Sequence, residues 1–267
     1  MVSFPPCKIN LGLQILSKQP DGYHAIATCF YPLPWTDILE ILPSTHFDFT
    51  SSGIQIPGQS GENLCVKAYE LIKKDFQLPP VRMHLHKIIP AGAGLGGGSA
   101  DAAYTLRSLN ALFDLKLLQN QLMQYAAQLG SDVPFFIQDE PKLGKGRGNL
   151  LEPVDLNLKG CFIRLFKPDF SISTAEAYAR VVPCTPSQDI RKIIEAPMTL
   201  WKNNLLNDFE SSLFPGYSIL QKIKNELYDS GAVYASMSGS GSSLFGIFAK
   251  VPPAFTYSLE PSWSGML

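Results

Sequence analysis

The stretch PAGAGLGGGSADAA, residues 90–103, places five glycines within the seven positions from Gly92 to Gly98. Glycine is favoured where a backbone turns through positive φ or lies close to a ligand, and each glycine costs conformational entropy on folding. The first amides of a helix have no intrahelical acceptors and carry partial positive charge, so a glycine loop before a helix can bind phosphate. The sequence therefore predicts a phosphate loop formed by Pro90, Ala91, Gly92, Ala93, Gly94, Leu95, Gly96, Gly97, Gly98, Ser99 and Ala100.

Other interpretations of this loop are less favoured. A flexible linker would join domains and would be rich in polar residues, whereas this loop lies between a predicted strand and a predicted helix. Gly92, Gly94 and Gly97 satisfy the dinucleotide pattern GxGxxG, but the preceding VRMHLHKIIP alternates polar and apolar residues instead of being buried on both faces. The lysine of a Walker A loop and the HRD and DFG motifs of protein kinases are absent from the sequence.

Two polar residues at the start of the predicted helix have alternative roles. Ser99 is predicted to be the N-cap, and its hydroxyl could equally face a phosphate or a metal ion. Asp101 falls in the first turn, where a carboxylate interacts favourably with the helix dipole.

A second glycine–serine turn, SMSGSGSS, lies between two apolar strand-like segments near the end of the chain. Taken alone it predicts a hairpin turn. Together with the first loop it predicts a second wall of the phosphate site, formed by Ser238, Gly239, Ser240 and Gly241.

Lys8 and Asp132 are the candidate charged residues. Lys8 shares the polar face of a predicted half-buried strand with Asn10, and a lysine on such a face is usually exposed to solvent. Asp132 comes shortly before Pro134, a pattern typical of a helix cap. The residues alone therefore leave both a structural and a catalytic role open.

Together and in this order, these segments resemble the GHMP small-molecule kinases, which include galactose, homoserine and mevalonate kinases. PAGAGLGGGSADAA resembles the central motif of the family, LGSDVPFF its segment around the catalytic aspartate, and ASMSGSGSSLFGIF its third motif. KINLGLQILSKQPDGYH is similar to the first motif of the family member that acts on a cytidine diphosphate-linked methylerythritol. The resemblance extends from Cys7 to Phe248.

The resemblance implies a two-domain α+β fold with the active site in the interdomain cleft. Residues 1–155 are expected to form the N-terminal, ATP-binding domain, and residues 156–267 a C-terminal domain that contributes to substrate binding. The expected reaction is ATP-dependent phosphorylation of a 2-hydroxyl in non-mevalonate isoprenoid precursor biosynthesis. There are two alternatives. The chain could be a kinase for a different alcohol, of the mevalonate or homoserine type, or a nucleotide-binding module without catalysis.

The resemblance also implies roles for individual residues. Asp132 is expected to act as the general base, with Lys8 orienting it and offsetting charge near the transferred group. Tyr23 and His24 are expected at the cytosine, with Tyr178 as a further aromatic residue near the base, and Asn10 at the methylerythritol. ATP is expected as its Mg²⁺ complex, with the ion held either by ATP alone or also by Ser99, the one candidate protein ligand; no residue is assigned to a metal site.

The bulk composition excludes several classes of protein. The chain has 22 basic and 23 acidic residues and a net charge of −1, which argues against a main task of coating nucleic acid or an anionic membrane. No stretch approaches the roughly 18 consecutive apolar residues of a membrane span. The five cysteines form no CxxC pair, so reduced thiols are expected. We therefore expect a cytoplasmic monomer or weak homodimer that binds small molecules.

Periodicity predicts the elements that position these residues. Strands are expected at residues 8–16, 25–33, 38–42, 47–50, 81–89 and 161–166, and helices at 62–76, 99–113, 119–129, 175–180 and 217–229. The glycine-rich segment 142–160 is the predicted domain junction. Two features depart from the family pattern: Asn149 stands where a glutamate is more usual, and Pro252 and Pro253 interrupt the region after Lys250.

Overall fold

The computed structural model describes residues 1–267, and it combines strands with helices. The strands are β1 Val2–Ser3, β2 Pro6–Lys18, β3 His24–Thr36, β4 Ile38–Pro43, β5 Asp48–Gly53, β6 Val81–Lys87, β7 Lys142–Gly146, β8 Leu150–Pro153, β9 Phe162–Phe166, β10 Tyr234–Met237, β11 Leu244–Phe248 and β12 Trp263–Met266. The α helices are α1 Leu64–Phe76, α2 Gly97–Leu112, α3 Gln119–Leu129, α4 Thr174–Arg180, α5 Ile190–Ile194, α6 Trp201–Asn204, α7 Asp208–Leu213 and α8 Ser218–Asp229. Short 3₁₀ helices span Ser60–Glu62, Val133–Ile137 and Met198–Leu200.

The chain divides into two compact units, and each contains segments that are distant in sequence. Unit 1 consists of Met1–Lys8, Trp35–Ala91 and Gly96–Glu140. Unit 2 consists of Ile9–Pro34, Gly92–Leu95 and Pro141–Leu267. The division into domains 1–155 and 156–267 stays a prediction.

Unit 1 contains a four-stranded sheet with the strand order β1-β4-β6-β5. β4 pairs with β6 in antiparallel fashion, and β5 pairs with β6 in parallel. The alternation that predicts β6 places Val81, Met83 and Leu85 on its buried side. Helices α1, α2 and α3 pack against one another, and both α2 and α3 contact the 3₁₀ helix Val133–Ile137.

Unit 2 contains the sheet β10-β11-β9-β12 and most of the sheet β2-β3-β7-β8. The predicted hairpin near the end of the chain is present, because β10 pairs with β11 from Tyr234↔Ile247 to Met237↔Leu244. Helix α8 packs against both strands. An apolar cluster that includes Leu13, Ile26 and Leu220 forms the core beneath them.

Two expectations about local structure are changed, and the region after Lys250, for which no element was predicted, is defined. Segment 142–160 was expected as a junction, but it contains the antiparallel hairpin β7–β8, and β7 also pairs with β3. Strand β2 was expected to be half-buried, but every residue from Pro6 to Leu13 is buried. After Pro252 and Pro253 the chain ends in a strand, β12, paired with β9. No helix is both long and apolar enough to cross a membrane.

Candidate active site

Helix α2 begins with a glycine and not with a side-chain cap. Its N-cap is Gly96, with φ 70°, and no side chain caps the helix. The prediction that Ser99 is the N-cap is wrong, because the positive φ that only glycine adopts cheaply lets the helix begin at Gly97, so Ser99 is its third residue. The first-turn amides therefore have no capping side chain to compete with an anion.

Close packing explains why glycines occupy the start of this helix. A Cβ atom at Gly96 would lie 3.0 Å from Cζ of Phe136 and 3.1 Å from Cε of Lys8. A Cβ atom at Gly97 would lie 2.9 Å from Cγ2 of Ile89 and 3.0 Å from Nζ of Lys87. Two lysine side chains thus lie directly against the first residues of α2.

Lys8 is paired with Asp132. Its Nζ lies 3.4 Å from Oδ2 of Asp132, and the lysine side chain is 4% exposed whereas that of Asp132 is 34% exposed. Asp132 occupies the N-cap position of the 3₁₀ helix Val133–Ile137, but its side chain makes no capping hydrogen bond. Neither structural alternative describes this pair, because the lysine is not on the surface and the carboxylate does not cap the helix. The pair leaves one carboxylate accessible to a substrate.

A second charged cluster in unit 1 was missed by the sequence analysis. Nζ of Lys87 lies 2.7 Å from Oδ2 of Asp101 and also contacts Oδ2 of Asp37, and all three side chains are almost fully buried. Oδ1 of Asp37 accepts hydrogen bonds from the amides of Ile88 at 2.6 Å and Ile89 at 2.8 Å. Oδ1 of Asp101 is buried with no partner in the protein. One signal was available: Lys87 continues the buried face of Val81, Met83 and Leu85.

Burial controls the protonation of this cluster. The pKa of Asp101 is raised to about 7, chiefly by desolvation; the charge of Lys87 lowers this pKa and the charge of Asp37 raises it. Desolvation alone would lower the pKa of Lys87, but Asp101 and Asp37 outweigh it and raise that pKa. The second oxygen of Asp101 has no donor in the protein, whereas that of Asp37 accepts two amide hydrogen bonds.

A cavity of about 220 Å³ lies beside the start of α2 in unit 1. Its lining combines apolar side chains, a loop and the charged cluster, and includes Phe49, Ile56, Asn63, Leu64, Lys87, Gly98 and Asp101. Such a mixture of apolar walls and a few polar groups is typical of a small-molecule site. The cavity therefore lies beside the predicted phosphate-binding start of α2 and has space for an organic group.

In unit 2 the first half of the glycine loop contacts the second glycine–serine turn. A Cβ atom at Gly94 would lie 2.1 Å from the carbonyl oxygen of Ser238. Oγ of Ser238 donates a hydrogen bond to the carbonyl of Gly94 at 2.8 Å and accepts one from the amide of Asn10 at 3.2 Å. The two loops predicted to be adjacent walls are therefore in direct contact within this unit.

Buried amide side chains support these loops. Asn10 is buried, and its Nδ2 donates to Oγ1 of Thr28 at 3.0 Å. Nδ2 of Asn207 donates to the carbonyls of Met237 and Gly239, both at 2.8 Å. Asn207 was not among the predicted residues, since an asparagine between two short helices carries no distinctive sequence signal. Its side chain fixes the backbone of the second turn.

The aromatic residues expected at a base lie in unit 2. The rings of His24 and Tyr178 stack with their centroids 4.7 Å apart and an interplanar angle of 20°. The guanidinium of Arg147 lies 3.8 Å from the centroid of the Tyr23 ring and is also paired with Asp21. Burial, followed by the charge of Lys18, lowers the pKa of His24, which keeps its imidazole neutral near pH 7.

Arg147 was also missed, because it lies in the glycine-rich segment 142–160. It occupies the turn between β7 and β8, and its amide donates to Oδ1 of Asn149 at 3.2 Å. The asparagine that departs from the family pattern therefore stabilises the turn that carries Arg147.

Models of two domains match this chain. The GHMP kinases N terminal domain matches residues 63–140, and the GHMP kinases C terminal domain matches residues 188–254. A protein of Bacteroides fragilis named 4-diphosphocytidyl-2-C-methyl-D-erythritol kinase is 51% identical over 253 residues, covering 93% of this chain and 92% of that protein. This chain belongs to the GHMP kinases.

Further relatives and solved structures support the assignment of this chain to the GHMP kinases. A protein of the same name from Cytophaga hutchinsonii is 50% identical over 256 residues, covering 96% of this chain and 95% of that protein. A crystal structure of 4-(cytidine 5'-diphospho)-2C-methyl-D-erythritol kinase superposes with a TM-score of 0.81 at 33% identity, covering 92% of this chain and 90% of that one. A mevalonate kinase from Methanococcus jannaschii has a TM-score of 0.69 at 14% identity, covering 93% and 90%, which shows the fold alone. The predicted α+β GHMP-kinase fold is confirmed.

The predicted site residues of this GHMP kinase form three groups. Lys8 and Asp132 are paired, and Lys8 lies against Gly96 at the start of α2. Gly94 contacts the turn that contains Ser238–Gly241. His24 stacks on Tyr178, whereas Tyr23 contacts Arg147 instead. The roles assigned to these residues stay predictions.

Proposed function

We propose that this GHMP kinase transfers the γ-phosphoryl group of ATP to the 2-hydroxyl of 4-diphosphocytidyl-2-C-methyl-D-erythritol, giving the 2-phosphate and ADP. The observation that carries the proposal is the Lys8–Asp132 pair against the glycine-capped start of α2, in a chain about half identical to kinases of that name. This reaction belongs to non-mevalonate isoprenoid precursor synthesis. Mevalonate and homoserine are less favoured substrates, because kinases for them share the fold at 14% and 16% identity.

In this mechanism Asp132 accepts the proton of the substrate hydroxyl. The hydroxyl oxygen forms a bond to the γ-phosphorus, and the bond from that phosphorus to the β,γ-bridging oxygen breaks, so ADP leaves. Lys8 orients the carboxylate through the 3.4 Å contact and offsets negative charge near the transferred group. Because the lysine is buried and the carboxylate is partly exposed, only the carboxylate is placed to meet the substrate directly.

The phosphates of ATP bind at the first-turn amides of α2, where no side chain caps the helix. The adenosine occupies the cavity lined by Phe49, Ile56 and Leu64. ATP would be used as its Mg²⁺ complex, which would supply positive charge to offset that of the phosphates. The hydroxyl of Ser99, in the first turn of α2, would be the protein ligand.

The cytosine is recognised by Tyr23, His24 and Tyr178. An aromatic ring offers a face for base stacking, and a neutral imidazole can accept or donate a hydrogen bond at the base edge. The stack of His24 on Tyr178 provides such a platform within unit 2. Asn10 lies at the other end of the substrate, towards the methylerythritol.

We place the reaction in the cytoplasm, because ATP is the phosphoryl donor there. The partners of the chain are its two small substrates, and we expect it to act as a monomer or weak homodimer.

The test is an ADP-release assay across three alcohols with a matched pair of variants. We expect turnover with the cytidine compound and not with mevalonate or homoserine. Asp132→Asn should lower kcat about 10²- to 10⁴-fold and leave the Kd for ATP within threefold, since it removes the proton acceptor but not the phosphate site. Asp155→Asn, at an exposed aspartate of the same charge, is the control and should keep full activity.

Two results would contradict the proposal. Preferred phosphorylation of mevalonate or homoserine would assign a different alcohol. Binding of ATP and the cytidine compound without ADP release would identify a nucleotide-binding module without catalysis.

A further inference from the structure

The carboxyl end of the 3₁₀ helix Val133–Ile137 is attached to helix α2 by three side chains of unit 1. Oη of Tyr104 donates a hydrogen bond to Oδ2 of Asp139 at 2.7 Å, and Nη1 of Arg107 donates to the same oxygen. The guanidinium of Arg107 also lies 4.3 Å from the centre of the Tyr104 ring. We call these three residues the α2 clamp.

The α2 clamp also contacts the backbone of the 3₁₀ helix. Nη1 of Arg107 donates to the carbonyl of Phe136 at 3.2 Å, and the amide of Asp139 donates to the carbonyl of Phe135 at 3.3 Å. The ring of Phe136 lies against Gly96, where a Cβ atom would be 3.0 Å from Cζ. The side chain of Arg107 therefore holds the end of the 3₁₀ helix Val133–Ile137, which packs against the start of α2.

Asp139 has an unfavourable backbone conformation and an unsatisfied carboxylate oxygen. Its backbone has φ 55°, a left-handed conformation that is unfavourable for an aspartate. Oδ1 of its carboxylate is buried without a partner in the protein. A strained residue with an unsatisfied oxygen persists only where the surroundings hold it, and such sites often serve function.

The 3₁₀ helix connects the α2 clamp to Asp132. Asp132 is its N-cap and Asp139 follows its carboxyl end, so one short, fully buried element separates the two carboxylates. All five residues of that element are buried, and it contacts both α2 and α3. A displacement at the clamped end is therefore transmitted to Asp132 rather than absorbed by a flexible loop.

We propose that Asp139, with Tyr104 and Arg107, is a positioning residue that holds Asp132 in register with Lys8 and the phosphate-binding start of α2. The inference rests on the proposed function, since it assigns Asp139 an effect on catalysis that acts through Asp132. The α2 clamp contributes to kcat and not to ATP binding, because none of its three residues lines the cavity beside α2.

The experiment compares two substitutions that both tolerate the left-handed backbone. Asp139→Asn keeps an acceptor oxygen for Tyr104 and Arg107, whereas Asp139→Gly removes the side chain without adding strain. We expect Asp139→Gly to lower kcat about 10- to 100-fold with the KM for ATP within threefold, because a displacement of about 1 Å can cost that much. Asp139→Asn should retain kcat within about threefold of the unsubstituted enzyme.

A double-mutant cycle separates positioning from a loss of stability. In an Asp132→Asn background, Asp139→Gly should lower kcat by less than twofold, since the residue it positions is already inactive. An equal loss of kcat in both backgrounds, or a loss in Asp139→Asn as large as in Asp139→Gly, would overturn the inference. If Asp132→Asn alone left turnover unchanged, the proposed role of Asp132 would fail, and if the unsubstituted enzyme released no ADP with the cytidine compound, the proposed function would fail; both results are distinguishable from a failure of the clamp alone.

Discussion

At the scale of single residues, the buried cluster of Asp37, Lys87 and Asp101 shows how two carboxylates share one ammonium. One positive charge cannot neutralise both, and burial makes the second negative charge costly. The two carboxylates differ in their other contacts, because the second oxygen of Asp37 accepts two amide hydrogen bonds while that of Asp101 has no donor in the protein. Burial therefore makes the ionised form of Asp101 unfavourable, which raises the pKa of this carboxyl group.

This cost predicts a pH dependence of stability. Since the pKa of Asp101 is raised from 3.8 to about 7 in the folded state, the folded protein binds this proton more tightly than the unfolded chain. Its contribution to the free energy of unfolding is therefore greatest at low pH and declines as the pH rises towards 7. We expect Asp101→Asn, which cannot ionise, to show a smaller decline between pH 5 and pH 8 in urea unfolding.

Asp114→Asn is the control for that measurement. Asp114 follows helix α2 and, like Asp101, is paired with a lysine, here Lys116, but its side chain is 75% exposed. Its substitution should leave the pH dependence unchanged. A decline in Asp101→Asn as steep as that of the unsubstituted protein would show that Asp101 does not carry the shifted proton.

His24 predicts a pH dependence of substrate binding. Its pKa is lowered below the ordinary value of 6.5 by burial and by Lys18, so it is neutral at pH 7 and stacks on Tyr178 in that form. As the pH falls through this lowered pKa, the imidazole becomes charged and is preferentially hydrated. We expect the KM for the cytidine substrate to rise between pH 7 and pH 5, measured at saturating ATP.

His24→Gln should bind the substrate more weakly at pH 7 but lose most of that pH dependence. His46→Gln is the matched control, because His46 is an exposed histidine that contacts Thr45. If the rise in KM persists in His24→Gln, another group is responsible.

At the scale of elements, the glycine loop contains glycines with different tasks. Gly94 has φ 75° and lies where a Cβ atom would be 2.1 Å from the carbonyl of Ser238, so it is required for folding of the loop. Gly98 has an ordinary helical backbone, and a Cβ atom there would meet only Cδ1 of Leu64, at 3.9 Å. Gly98 also lines the cavity beside α2. We therefore expect Gly98 to leave space for the ligand instead of being required for folding.

Alanine substitutions should separate these tasks. Gly94→Ala should lower the free energy of unfolding by about 1–3 kcal/mol through backbone strain and overlap, and weaken ATP binding as well. Gly98→Ala should leave stability unchanged or slightly higher, because alanine favours a helix, and raise the Kd for ATP several-fold. Thermal unfolding and ATP titration of both variants test this, and equal stability of the two would contradict it.

At the scale of the whole molecule, the two compact units do not follow the order of the chain. Unit 2 includes Ile9–Pro34 as well as Pro141–Leu267. Within its core, Leu13, Ile15 and Ile26 belong to an apolar cluster that is completed by residues after position 155, among them Phe209, Leu220 and Met237. The early strands of the chain therefore depend on its second half.

This dependence predicts that residues 1–155 will not fold alone. In the isolated fragment, Leu13, Ile15 and Ile26 would lose the partners that bury them, at a cost of about 1.5–3 kcal/mol for each large side chain left exposed. We expect the fragment to lack a cooperative thermal transition that the full chain shows by circular dichroism. A cooperative transition in the fragment would support the predicted domain division at 155.

Much of the secondary structure was predictable from local pattern. The predicted helix at 119–129 agrees with α3, and Gly130 ends it as expected. The predicted start of α2 was wrong by two residues, because a serine is a good N-cap in general and the positive φ at Gly96 is not visible in the sequence. The prediction that β2 is half-buried was wrong, because alternation cannot show that Lys8 and Asn10 will be buried through contacts with Asp132 and Thr28.

The sequence by itself determined the residue types and the order of the motifs, and from these the family and the expected reaction. Tertiary structure decided which distant residues meet: Lys8 with Asp132, Ser238 with Gly94, and Lys87 with two aspartates. Helix and strand periodicity is a property of neighbouring residues, whereas the burial and pairing of a charge depend on the packing of elements from other parts of the chain. From its strand alone Lys8 looked like a surface lysine, and the family resemblance implied its catalytic role; only the tertiary structure showed that it is buried beside Asp132.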